Sequence, residues 1–360
     1  MKIALLGDIG LFGRFCTLEN SRLEEYFFDI ANLLSTYDVV IGNLETPFSD
    51  DERPFGVKSA HIVSKKENIN ILNYLNIKYV NLSNNHLFDF GLESYQLTKS
   101  ILAEHDIQYF GIESKQCFIE KEGVKLALHG YCSFNTNPQV MTFDKSKGIN
   151  ALDVDVVKQN LKNNHDNGYF NIISIHSGQE HVNYPSQDDI KFARSLSTIA
   201  PYIYYGHHPH VVQGIERKNE SLLAYSLGNF CFSDIYTKKS IEPLIKQSNN
   251  NKTGMLLSIE IDSCGVSNYE AIPLFMSENK MEYGVKNVKW NLEKYSTLLD
   301  PDSESYQKMR NDIINNFLAE RKNMRDLNWF LKRLNFSSLK QILQSKSNSK
   351  KYFKHVKSKL

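Results

Sequence analysis

Residues 202–210 read Tyr-Ile-Tyr-Tyr-Gly-His-His-Pro-His. The first four are bulky residues of high β propensity, suited to a strand buried on both faces. The run stops at a glycine and passes straight into a histidine cluster. In open α/β sheets binding side chains collect at such strand ends, where loops are exposed while the strands hold them rigidly. Pro209 stiffens the backbone between His208 and His210, so both imidazoles are offered in a set geometry. The same pattern recurs along the chain. Residues 3–6 lead into Gly7-Asp8-Ile9-Gly10, and 39–41 into Gly42-Asn43-Leu44-Glu45. Residues 79–82 lead into Ser83-Asn84-Asn85-His86, with Asp89 just beyond, and 171–175 into His176-Ser177-Gly178-Gln179-Glu180.

Helical patterns at residues 22–34, 67–75, 92–105, 154–164 and 188–199 separate these apolar runs. The last has a start signal, Ser186 with Asp189 three residues on, a variant of the capping box. Buried strands alternating with helices predict an α/β fold, a sheet covered by helices. Residues 124–129, 211–215 with 222–225, and 255–261 with 267–272 read as hairpins, which adds antiparallel strands and suggests mixed or stacked sheets. The polar, Asn/Lys-rich stretch 246–253 reads as a mobile loop.

A chain of 360 residues is long for one compact domain and short for three. A large domain over residues 1–285 is expected, then a helical, lysine-rich extension over 286–360. Residues 303–321 and 324–334 are helical in pattern, 337–344 add a turn or two, and 345–360 are expected to fray. Net charge is +1, yet residues 331–360 carry nine Lys or Arg and no acid. A solvated tail is the simplest reading of that segment; attraction to an anionic membrane or polyanionic polymer is the functional one. Nucleic acid is not an expected partner, because no helix-turn-helix or RNP-like motif accompanies the charge. Cys16, Cys117, Cys132, Cys231 and Cys264 are odd in number and form no CxxC pair, which argues against a disulfide scaffold and a thiolate zinc site. Residues 1–6 read as a strand rather than a signal peptide, and no apolar run would cross a bilayer. A cytoplasmic protein is expected, with the tail available for peripheral membrane contact.

Carboxylates and imidazoles at successive strand ends suit Zn, Mn or Fe. The alternative is a buried, hydrogen-bonded histidine cluster. Asp8, Glu45, Asn85, His176, His208 and His210 suffice for two divalent metal ions sharing one carboxylate. No nucleophile elbow, P-loop or GxGxxG fingerprint offers a competing chemistry.

The ordered set GDIGL, GNLETP, NLSNNHLFDFG, HSGQEH, GHHPHVVQGIE and YSLGNF resembles the CapA family of capsule and poly-γ-glutamate biosynthesis proteins over residues 1–235. That family resembles calcineurin-like metallophosphatases, which implies an αββα sandwich of mixed sheets. The resemblance makes Asp8 and His210 ligands of one metal, with Glu45 bridging and Asn85, His176 and His208 on the other. It makes His86 the general acid, steadied by Asp89. Arg14, Lys58, Asn43 and His207 become candidates for holding a substrate anion, solvated surface charge being the alternative for Arg14 and Lys58, with Glu180 and Asn229 supporting the ligands. The implied activity is a metal-dependent phosphoester hydrolase of cell-surface polymer biosynthesis, with a metal-bound hydroxide attacking phosphorus. A non-catalytic, metal-containing polymer-binding or assembly factor is the alternative, and a nuclease or nucleotidase a third reading. Two departures stand out. Asp8-Ile9-Gly10 lacks the histidine of the metallophosphatase Asp-x-His, which is also the CapA pattern but removes one ligand and is expected to weaken the first metal. Ser177 replaces the family's usual tryptophan, a change expected to open or rewet that side of the pocket.

Overall fold

The computed structural model describes residues 1–16, 20–51, 53–56, 58, 60–143, 146–236, 242–284, 291–323 and 336–360. The chain first lays down four parallel strands, β1 (Lys2–Ile9), β2 (Val39–Leu44), β3 (Tyr79–Asn81) and β4 (Gln108–Phe110), linked through α1 (Asn20–Leu34), α2 (Ile69–Tyr74) and α3 (Gly91–Glu104). A second sheet follows, built from β5 (Cys117–Lys121), β6 (Val124–Cys132), β9 (Phe170–His176), β10 (Tyr202–His207), β11 (Ile215–Lys218) and β12 (Ser221–Ala224). A small ribbon, β7 (Met141–Thr142) with β8 (Ile149–Asn150), and helices α4 (Val154–Asp166) and α5 (Gln187–Leu196) lie within this stretch. The chain then returns to the first sheet as β13 (Asn229–Cys231), the short helix α6 (Asn249–Lys252), β14 (Thr253–Asp262), β15 (Gly265–Met276) and β16 (Met281–Tyr283). Helices α7 (Leu292–Thr297), α8 (Glu304–Asn323) and α9 (Phe336–His355) end it.

Three apolar cores define the layers. Ile3, Leu5 and Ile41 of the first sheet meet Leu126, Leu128, Ile172 and Ile203 of the second, so the sheets pack face to face. On the outer face of the first sheet, Ala4, Leu6, Val40 and Val80 meet Phe27, Ile30, Leu72 and Leu102 from α1–α3. On the outer face of the second, Ile173, Ile175, Tyr202 and Tyr204 meet Leu161, Ile190 and Leu196 from α4 and α5. Alternating side chains of β1 and β2 thus serve opposite cores. The result is the αββα sandwich of mixed sheets, with a C-terminal helical extension. The buried Tyr205 hydroxyl donates to the Leu6 carbonyl and ties the two sheets together.

The capping box at α5 forms as the sequence predicts, with Ser186 and Asp189 satisfying each other's backbone N–H groups. Of the hairpins, residues 211–214 are not in a strand; β11 begins only at Ile215, while Val212 bridges Leu227. The stretch expected to be a mobile loop is pinned instead. Ser248 caps α6, and the buried Asn251 amide donates to the His210 carbonyl at 3.0 Å. The tail is not frayed. Residues 336–355 form one helix whose inner face is tied to the second sheet's helical layer. Tyr352 donates to Asp188 at 2.9 Å, His355 Nδ1 lies 2.6 Å from Asp153, Lys359 bonds the same carboxylate at 2.8 Å, and Val356 joins the third core. The predicted helix over 324–334, with Lys332 and Arg333, lies outside the described residues. The cysteines are unpaired. Among the described residues no helix is long and apolar enough to cross a membrane.

Asp153 both caps α4, accepting from the Asp155 and Val156 N–H groups, and anchors the tail. Asp153→Ala is therefore expected to cost about 1–2 kcal/mol through the lost cap alone. It should also raise hydrogen exchange across 336–355, whereas a purely local effect would leave that helix protected.

Candidate metal centre

Register brings the polar strand ends together. Asp8 on β1 pairs with Asn43 on β2 and with Asn229 on β13, and Asn43 pairs with Asn81 on β3. In the facing sheet His207, last in β10, pairs with His176, last in β9. Asp8, Glu45 and His176 are wholly buried, and His208 and His210 nearly so. His208 and His210 have φ of 95° and 56°. Left-handed backbone at a non-glycine residue costs about 1–3 kcal/mol, and such strain clusters at functional sites where the surroundings enforce it.

Hydrogen bonding sets the state of each group. Asn43 Nδ2 donates to Asp8 Oδ1 at 2.9 Å and to Glu45 Oε1 at 3.3 Å, so it aligns the two carboxylates. His176 Nε2 lies 3.0 Å from Asn85 Oδ1, an acceptor only, which places the proton on Nε2 and the lone pair on Nδ1. His210 Nδ1 likewise faces Asn229 Oδ1 at 2.9 Å, leaving the Nε2 lone pair towards Glu45 Oε2 at 3.9 Å. Burial pushes the His208 imidazole down to about 4 and His176 well below its ordinary value, so both are neutral donors at pH 7. Burial also raises the Glu45 carboxyl well above the carboxylate range, and the Asp8 charge adds to this. Asp8 goes the other way: burial opposes its charge, but the hydrogen bond and charge of His207 outweigh it.

The cluster fits a cation. Glu45 Oε2, His176 Nδ1 and His208 Nδ1 are buried without a hydrogen-bond partner. Each such atom costs about 1–3 kcal/mol, which a bound ion would offset. Asp8, Glu45 and His176 offer ligand atoms all within 4.8 Å of one another, and Glu180, His208 and His210 do the same. The second trio faces a cavity of about 460 Å³ that Lys58, Asn85 and His86 also line. Beside it, His86 Nδ1 lies 2.6 Å from Asp89 Oδ2, and Lys58 Nζ donates to Asp89 Oδ1 at 2.8 Å. Burial would raise the Asp89 carboxyl, yet Lys58 and His86 hold it at about 2. Burial and the Lys58 charge lower His86.

Several candidates sit elsewhere. Arg14 turns away from the cavity, with Nη1 donating to the Ser277 carbonyl at 2.9 Å and Nη2 to the Tyr26 hydroxyl at 2.7 Å; it lines a separate surface groove. His207 is also off the cavity wall: its Nδ1 is 3.0 Å from Asp8 and its ring lies 4.1 Å from that of Tyr205. Asn43 is wholly buried against the carboxylates, with no face for substrate. Ser177 does not wet the pocket, because its hydroxyl donates to Asp189 at 2.8 Å at the start of α5. Glu180, expected behind the ligands, offers a carboxylate oxygen within 4.8 Å of ligand atoms on His208 and His210, and the Asn85 oxygen expected to bind metal lies 3.0 Å from His176 Nε2. A side chain at position 10 does not fit the present packing: a Cβ on Gly10 would lie 2.6 Å from the Phe232 ring and 2.7 Å from that of Phe12. Phe232 carried no recognisable signal in the sequence, since its role is to fill the space beside His210, at 4.7 Å between ring centroids.

Comparison with known proteins places this geometry in context. Residues 2–234 match the model of a family described as bacterial capsule synthesis protein PGA_cap. The chain is 24% identical over 321 residues to "PGA biosynthesis protein CapA" of Bacillus subtilis (strain 168), covering 84% of this chain and 83% of that protein. It is 25% identical over 260 residues to "Capsule biosynthesis protein CapA" of Bacillus anthracis, covering 68% and 63% respectively. Among solved structures, the NAD nucleotidase of Haemophilus influenzae aligns with a TM-score of 0.43 and 14% identity over 90% of this chain and 61% of that one.

The Asp89 value implies an acid dependence. A carboxyl at about 2 when folded, against 3.8 ordinarily, contributes stability that is complete above the ordinary value and lost as pH falls towards 2. Asp89→Asn is expected to flatten that acid limb. It should also cost about 3 kcal/mol at neutral pH by leaving Lys58 buried without its partner. Urea unfolding across the acid range measures both, and an unchanged slope would contradict the pairing.

Proposed function

The chain belongs to the bacterial capsule synthesis protein PGA_cap family, and from that premise we propose that it is a divalent-metal-dependent phosphoester hydrolase of capsule or poly-γ-glutamate assembly. The observation that carries the reading is the set of partnerless buried ligand atoms on Glu45, His176 and His208, next to a cavity that holds a histidine–carboxylate pair. Asp8, Glu45 and His176 would hold one ion, and Glu180, His208 and His210 a second. Bound there, Mn, Zn or Fe would supply positive charge against a phosphoryl oxygen and acidity to water.

The remaining work falls to side chains of the chain itself. Asp89 holds His86 Nδ1 and so fixes the ring, leaving Nε2 for the proton delivered to the leaving oxygen. The lowered His86 value makes its protonated form a stronger acid. Lys58, on the cavity wall and bonded to Asp89 and the Asn85 carbonyl, adds positive charge for an anionic substrate. Asn43 keeps the two carboxylates aligned, and Asn85 and Asn229 keep His176 and His210 in the ligating tautomer. A non-catalytic assembly factor that keeps its cation structurally is the competing reading.

Glu45→Gln and His208→Ala are expected to lose bound metal, measured by elemental analysis, together with turnover of a chromogenic phosphodiester. His86→Ala should keep the metal and lose turnover by about 10²–10⁴-fold. Tight polymer binding with no turnover in the metal-loaded protein would establish the assembly factor; undiminished turnover in all three variants would discard the site itself.

A further inference from the structure

The C-terminal helix α9 has two unlike faces. Its inner face is held: Asn348 donates to Asn137 at 2.9 Å, Tyr352 to Asp188 at 2.9 Å, and His355 reaches Asp153 at 2.6 Å. Gln341 and Ser345 on the same helix form part of the cavity wall. Its outer face is apolar and basic. Leu339 and Ile342 are 53% exposed, and Leu343 and Phe353 59%. With Lys346 and Lys350 these residues recur at helical steps of three and four, so all lie along one stripe. Lys340 and Lys354 flank it. Among the described residues none of these four lysines has a carboxylate partner, and residues 331–360 contain no acid.

We infer that this stripe is a docking surface for an anionic lipid bilayer. The charge alone would suit any polyanion, but a soluble polyanion gains nothing from four exposed apolar side chains. Apolar residues interleaved with lysines on one helix face match the lipid interface, where hydrocarbon enters the headgroup boundary and the ammonium groups snorkel to phosphate. Large apolar groups gathered in one contiguous exposed strip, rather than scattered singly, mark an interaction site. Docking would hold the helix that walls the cavity against the membrane. The inference does not depend on the metal or on hydrolysis.

The test is co-sedimentation of the full chain with phosphatidylcholine vesicles, with and without phosphatidylglycerol. Binding is expected only when phosphatidylglycerol is present, and it should fall with salt. Lys346→Glu with Lys350→Glu and Lys354→Glu should weaken it about tenfold or more. Leu339→Ser, Ile342→Ser, Leu343→Ser and Phe353→Ser together should do the same. All these side chains point outward, so circular dichroism and thermal midpoints should match the parent, and turnover of a soluble phosphodiester should not change. No binding by the unaltered protein would overturn the inference. So would full binding by the serine variant, which would indicate simple polyanion attraction, or a dimer in light scattering that the serine variant abolishes, which would assign the stripe to a second copy.

Discussion

Two acidic side chains, Asp8 and Glu45, are wholly buried at adjoining strand ends, and the architecture around them has to accommodate the Asp8 charge and a Glu45 carboxyl whose ionisation burial opposes. An unpaired ion inside a protein carries a penalty of several kcal/mol even after relaxation. Part of it is met by dipoles: the Asn43 amide bonds both acids, and the His208 backbone N–H reaches Asp8 at 3.3 Å. Those contacts exist only because Asp8 and Asn43 are in register and the second sheet presents its histidines from the opposite side. A one-residue slip of β2 would turn Asn43 to the other face and break the arrangement. Sheet register, interlocking of the sheets through Tyr205, and the chemistry of the site are therefore one constraint.

Much of this was legible because both sheets are largely parallel in their central strands. Such strands are buried on both faces and read as continuous apolar runs, and the polar residues that follow them lie on the one edge where strand ends meet. What spacing could not reveal was direction. His207 and His208 are neighbours, yet His207 is the last residue of β10 and turns to Asp8, while the left-handed backbone at His208 takes the next imidazole elsewhere. Arg14 follows a strand end as the others do, but Tyr26 of α1 and the Ser277 carbonyl capture its guanidinium. Each outcome depends on partners that are distant in sequence.

The same non-locality explains the tail and the segment before β14. Lysine, serine and asparagine over 345–360 have the composition of a solvated chain. Their order comes from Asp153, Asp188 and Asn137, each more than 160 residues away in sequence. Residues 246–253 read as a loop because no local hydrophobic period marks them. Asn251 nonetheless holds the His210 carbonyl and its own carbonyl accepts from Asn229, so a polar segment is ordered by the site it supports.

Phe232 and Glu180 give the cavity unlike lining residues. Phe232 occupies the space where a side chain at position 10 would lie, and its ring packs on His210. Phe232 thereby gives the cavity an apolar contact beside His210. Glu180, His208 and His210 offer ligand atoms within 4.8 Å of one another at the cavity. The two candidate ligand groups, the two halves of the site, are unequal. Asp8, Glu45 and His176 are completely enclosed, whereas the Glu180 side chain is 34% exposed at the cavity. A cation in the enclosed half would be held by desolvated, unscreened ligands, and one in the open half would compete with water for a half-solvated carboxylate. Ligand exchange, and any response to an arriving anion, would therefore be concentrated where Lys58 and His86 already face the cavity.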